Sequence, residues 1–107
     1  MKHLIILPNY KETLDTLRET LFVLASHPNA HQSYRVVLAC EMAETGVTDK
    51  VNILIEEFST AFFEISCTLH PRDIEGEAAG KSSNVAWATR EMNRRNSSYM
   101  MEQIITV

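Results

Sequence analysis

The sequence predicts an α/β fold, a three-layer parallel sheet of four strands and three helices. Three observations predict it. Short apolar runs of strand length recur along the chain, at His3–Leu7, Tyr34–Ala39, Phe63–Leu69 and Gln103–Val107. The segments between them repeat apolar residues at helical spacing. The two kinds of segment alternate, which implies parallel strands joined by right-handed helical crossovers.

His3-Leu4-Ile5-Ile6-Leu7 is continuously apolar, as a strand buried on both faces should be, and Pro8 is expected to end it. Asn9 and Tyr10 turn the chain. Glu12 and Asp15 then favour a helix start, and Leu14, Leu17, Leu21 and Leu24 place a helix over about Glu12–Ser26. His27-Pro28-Asn29 stops it. His27 and His31 are four apart, but Pro28 and Asn29 between them deny a shared helix face. They read as surface histidines rather than metal ligands.

The second strand covers 34–39, with Cys40, Glu41 and Met42 at its carboxyl end. Val47, Val51, Leu54, Ile55, Phe58 and Phe62 mark the second helix, with Thr48 as its expected cap. Phe63, Ile65, Cys67 and Leu69 alternate with Glu64, Ser66 and Thr68, which is strand periodicity. His70-Pro71 closes that strand. A loop over 72–80 leads into a third helix, about Ser83–Arg95, with Ser82 or Ser83 as the expected cap. Residues 103–107 form the last strand. A domain seldom closes on a bare central strand, so the sequence reads as one domain truncated at that point.

Composition narrows the function classes. The 107 residues carry a net charge of -4, so bulk electrostatics do not favour nucleic acid or anionic lipid. Arg90, Arg94 and Arg95 suit the carboxyl end of a helix dipole. Cys40 and Cys67 have neither metal nor C-x-x-C spacing; both are expected at strand ends, as buried free thiols. No apolar run approaches the ~18 residues needed to span a bilayer, and no signal-peptide pattern occurs.

In an open parallel sheet, ligands bind at the carboxyl ends of the strands. That rule gathers Tyr10, Glu12, Glu41, Lys81 and Asn84 on one rim. Gly76 to Arg90 is the central stretch of the chain: a loop with two glycines ends in Lys81, Ser82 and Ser83 and enters a helix. A helix start beside a lysine suits phosphate. It is not a P-loop, whose G-x-x-x-x-G-K-[ST] needs glycine at position 75, where Glu75 stands.

These residues resemble glycosyltransferase family 2. Pro8-Asn9-Tyr10-Lys11-Glu12 is similar to that family's Pro-x-Tyr-Asn-Glu turn, with Lys11 where asparagine is usual. Gly80-Lys81-Ser82-Ser83-Asn84-Val85-Ala86-Trp87-Ala88 resembles its lysine–asparagine segment. Ile104-Ile105-Thr106-Val107 looks like the strand that leads to its Asp-x-Asp motif. The likeness spans nearly the whole chain and is closest to the fungal-type membrane glycosyltransferases.

It implies a Rossmann-like partial GT-A domain, the N-terminal nucleotide-sugar-binding half. Pro8, Tyr10 and Glu12 would hold base and ribose, Glu41 would meet the base in place of the family's usual aspartate, Lys81 would lie by the diphosphate, and Asn84 would shape the pocket. The resemblance implies a nucleotide diphosphate sugar as partner and a membrane-anchored parent with this domain facing the cytosol. It also implies Mg²⁺ or Mn²⁺ in the full-length parent, held by the Asp-x-Asp that this sequence lacks. With no metal motif, no catalytic base and no acceptor half, the chain alone is expected to be inactive and to bind no cofactor by itself. The alternative is a non-enzymatic α/β nucleotide-binding or regulatory module.

Overall fold

The computed structural model describes residues 3–9, 11–71, 81–95 and 103–106; of 81–83 and 103–106 the backbone alone is described. The elements are β1 (His3–Asn9), α1 (Leu14–Ala25), α2 (Ala30–Ser33), β2 (Tyr34–Glu41), α3 (Val47–Glu57), β3 (Glu64–His70), α4 (Lys81–Arg95) and β4 (Gln103–Thr106). The strands form one parallel sheet in the order β3-β2-β1-β4. All described side-chain packing belongs to the β3-β2-β1 part. The α/β class and the parallel pairing are as expected; the helices are four among the described residues, not three.

Alternation along the strands sorts the core into two faces. Ile5 and Leu7 of β1 join Val36, Leu38 and Cys40 of β2 under Leu17 and Leu21 of α1 and Val51 and Leu54 of α3. Leu4, Ile6, Val37 and Ala39 point the other way, against Ala88 and Met92 of α4. The sheet is therefore covered on both faces. The crossovers from β1 to β2 and from β2 to β3 run in one direction and use one face. The crossover from β3 to β4 reverses direction and uses the other. The reversal places a topological switch point between β1 and β4.

Several boundaries differ from expectation. Pro8 does not end β1; it lies within it, opposite Ala39. Beyond Ile6, the last residue registered with β4, β1 has only β2 beside it among the described residues. That edge-like position tolerates a proline without an N–H. The first helix starts at Leu14, because Thr13 is its cap and accepts from Thr16 N at 3.2 Å. The extra helix, α2, is one turn that buries Ala30, with Gln32 N and Ser33 N donating to Asn29 O.

The second long helix ends at Glu57. Phe58 and Phe62 are buried as their spacing implied, but they pack as neighbouring rings 6.0 Å apart, beyond the last turn. Its cap is Gly46, at φ +76°, not Thr48. Among the described residues the final helix covers Lys81–Arg95, so the backbones of Ser82 and Ser83 are helical; the capping expected of their side chains lies outside what is described. No described helix is long and apolar enough to cross a membrane.

Candidate functional site

Two polar clusters stand at the carboxyl rim. The first closes the turn after β1. Asn9 is fully buried. Its Nδ2 donates to Glu44 Oε1 at 3.1 Å and reaches Cys40 Sγ at 3.5 Å, while its Oδ1 accepts from Glu12 N at 3.0 Å and from Lys50 Nζ at 3.2 Å. Lys50 also donates to Glu12 O at 2.7 Å and pairs with Glu44 Oε2. Glu44 Oε1 accepts from Lys11 N as well, at 3.1 Å. Lys11 takes a left-handed backbone, φ 65°, which aims that N–H inward. An ammonium has three donors, and here they meet three acceptors. The cluster is satisfied within itself and acts as a clamp on the turn.

The second cluster lies at the ends of β2 and β3, on the face that α4 covers. Register sets Glu41 beside His70 and Ala39 beside Thr68. His70 Nδ1 lies 2.8 Å from Glu41 Oε2, with the side chains 5% and 14% exposed. A carboxylate can only accept, so Nδ1 carries the proton of this bond. Met42 N donates to His70 O at 2.9 Å and ties the two strand ends together. The Trp87 ring meets the His70 ring edge to face at 5.9 Å. Asn84 is fully buried and its Nδ2 donates to Ala39 O. Unlike the first cluster, this one has open acceptors. Glu41 Oε1, Thr68 Oγ1 and Asn84 Oδ1 are buried without a hydrogen-bond partner among the described residues. A buried acceptor without a donor costs free energy, so such a group marks a place for water or a ligand donor.

The sequence-derived candidates fall as follows. Pro8 is buried inside β1, and Glu12 is half-buried at the clamp, held through its backbone. Glu41 and Asn84 belong to the second cluster. Tyr10 and the loop over 72–80 lie outside the described residues, as does the side chain of Lys81. Asn9, Glu44, Lys50 and His70 escaped the sequence reading. Asn9 carried a signal, an asparagine between a strand and a helix start, where its side chain closes a local turn. His70 and Glu41 are linked only by strand register, and Glu44 and Lys50 reach Asn9 across 35 and 41 residues.

The histidines His27 and His31 are exposed and separately engaged, His27 Nδ1 by Asn29 N and His31 Nδ1 by Thr60 O. No group of three or more His, Cys, Asp or Glu side chains is placed to hold a metal ion among the described residues. Cys40 and Cys67 are free; Cys40 is buried, and Cys67 is half-buried in the middle of β3 rather than at its end. Burial pushes the Cys40 thiol up to about 11, partly offset by its contact with Asn9. Arg95 donates to Cys67 O at 3.3 Å, so the basic end of α4 is partly docked on β3. A cavity of about 290 Å³ lies there, lined by Cys67, Leu69, Trp87, Glu91 and Arg95. Comparison with family models, curated proteins and solved structures finds no match.

Proposed function

We propose that this chain is the nucleotide-sugar-binding part of a family 2-like glycosyltransferase, a Rossmann-like portion of a GT-A domain. The observation that carries the reading is the second cluster. A carboxylate, Glu41, and an amide, Asn84, have buried acceptors without a donor among the described residues, at the carboxyl rim of a doubly wound parallel sheet. Nucleotides bind such sheets at that rim. Asn84 belongs to a segment that resembles the family, and Glu41 stands where the resemblance expects an acid after the second strand. Pro8, Tyr10 and Glu12 would line the base and ribose side, with Lys81 at the diphosphate. Mg²⁺ or Mn²⁺ belongs to the Asp-x-Asp of the family domain, and the parent is a membrane protein with this domain in the cytosol.

The satisfied clamp around Asn9 favours the second reading, a non-enzymatic nucleotide-binding or regulatory module, in which the first turn is structural alone. Titration of uridine and guanosine diphosphates against Trp87 fluorescence tests binding. Lys81→Ala should weaken it by roughly one to two decades, the value of one charge-assisted contact. Unchanged fluorescence with both nucleotides contradicts the first reading and the nucleotide-binding form of the second. Hydrolysis of a nucleotide-sugar by this chain with Mn²⁺ contradicts the expectation that it is inactive alone.

A further inference from the structure

Glu41 is a candidate because of where it stands, yet a carboxylate at the end of a strand has free rotamers. Two observations show that this one is held, and a third shows which oxygen it offers. His70 Nδ1 lies 2.8 Å from Oε2 in a setting almost closed to water. The His70 ring meets Trp87 at 5.9 Å, and its backbone is tied to β2 by the bond from Met42 N to His70 O. The other oxygen, Oε1, is buried with no donor among the described residues. One oxygen is occupied and the other has no donor among the described residues, as expected of a carboxylate oriented for an incoming donor.

We propose that His70 is a positioning residue: its Nδ1–H holds Glu41 Oε2 so that Glu41 Oε1 is presented to an N–H donor on the base of a bound nucleotide. The nucleotide part of this statement rests on the function proposed above; the orienting bond does not. The carboxylate of Glu41, not the imidazole, touches the ligand. Trp87 contributes by limiting rotation of the His70 ring, and so couples α4 to the strand ends. A bond to an oriented, desolvated carboxylate is stronger than one to a carboxylate that must first be ordered.

Two measurements separate the parts. The first needs no ligand: the ¹⁵N-resolved imidazole spectrum of the whole chain. A hydrogen-bonded Nδ1–H signal from His70 is expected in wild type and should be lost in Glu41→Leu. Its absence from wild type, or its persistence unchanged in Glu41→Leu, overturns the proposal. The second is uridine diphosphate titration of wild type, His70→Leu and His70→Asn, each first checked for a dispersed amide spectrum. An asparagine amide can donate from near the Nδ1 position, whereas leucine cannot. His70→Leu should bind roughly tenfold more weakly or worse, and His70→Asn should recover most of the loss. Equal weakening in both variants, or none in either, refutes the positioning role. If wild type binds no nucleotide while the Nδ1–H signal behaves as expected, the nucleotide reading fails and the His70–Glu41 link stands.

Discussion

Lys50→Met is the sharpest probe of the clamp that shapes the turn after β1. The side chains of Lys50 and Glu44 are 12% and 11% exposed, so the pair is nearly buried. The substitution keeps the length of the apolar stem and removes three donors at once. Glu44 loses its counter-charge, and Asn9 Oδ1 and Glu12 O each lose a bond. Removing one partner of a buried pair costs about 3–5 kcal/mol. Glu44 keeps two donors, Asn9 Nδ2 and Lys11 N, so the lower end, about 3 kcal/mol, is expected. That is a large share of the roughly 5–15 kcal/mol that holds a domain folded. Urea unfolding followed by far-ultraviolet circular dichroism measures it. The double variant Glu44→Gln, Lys50→Met should recover part of the loss, because no buried charge is left alone. A cost under about 1 kcal/mol, the value of an exposed ion pair, would refute the claim that this cluster clamps the turn.

Further outcomes follow from other positions. Gly46→Ala meets no atom within 4 Å but must adopt φ +76°, so it should lose roughly 1–2 kcal/mol in the same urea assay through backbone conformation alone. Thr13→Ala removes the cap of α1 and should cost about 1 kcal/mol, with serine restoring it. The unfolded chain releases the Cys40 proton near its ordinary 9.0, whereas the folded chain holds it to about 11. Stability should therefore fall as pH rises between those values, and Cys40→Ala should reduce that slope in urea midpoints.

The fold was legible wherever burial and periodicity agree. The run at His3–Leu7 reads as a strand because both of its faces are covered, and the structure divides it between two cores. Phe58 and Phe62 show where the same signal overruns. Both are buried at helical spacing, but the helix has already ended at Glu57, so periodic burial alone does not define a helix terminus. At the rim, Glu41 and Asn84 were visible because they follow a strand and open a helix. Their physical setting was not. The bond from His70 to Glu41 depends on which residue of β3 sits opposite β2. Likewise, the clamp ties Asn9 to Glu44 and Lys50, 35 and 41 residues away, which no local pattern encodes. Cys67 was expected at a strand end, but β3 runs on to His70 and leaves it mid-strand.

The central claim is that a nucleotide occupies the carboxyl rim beside Glu41 and Asn84. An amide chemical-shift titration of the ¹⁵N-labelled chain with uridine diphosphate tests it most directly. The account predicts saturable shifts centred on Glu12, Glu41, His70 and Asn84, with a Kd in the high micromolar to millimolar range by order of magnitude. Shifts confined to the outer faces of α1 and α3, or none at several times that concentration, would contradict it.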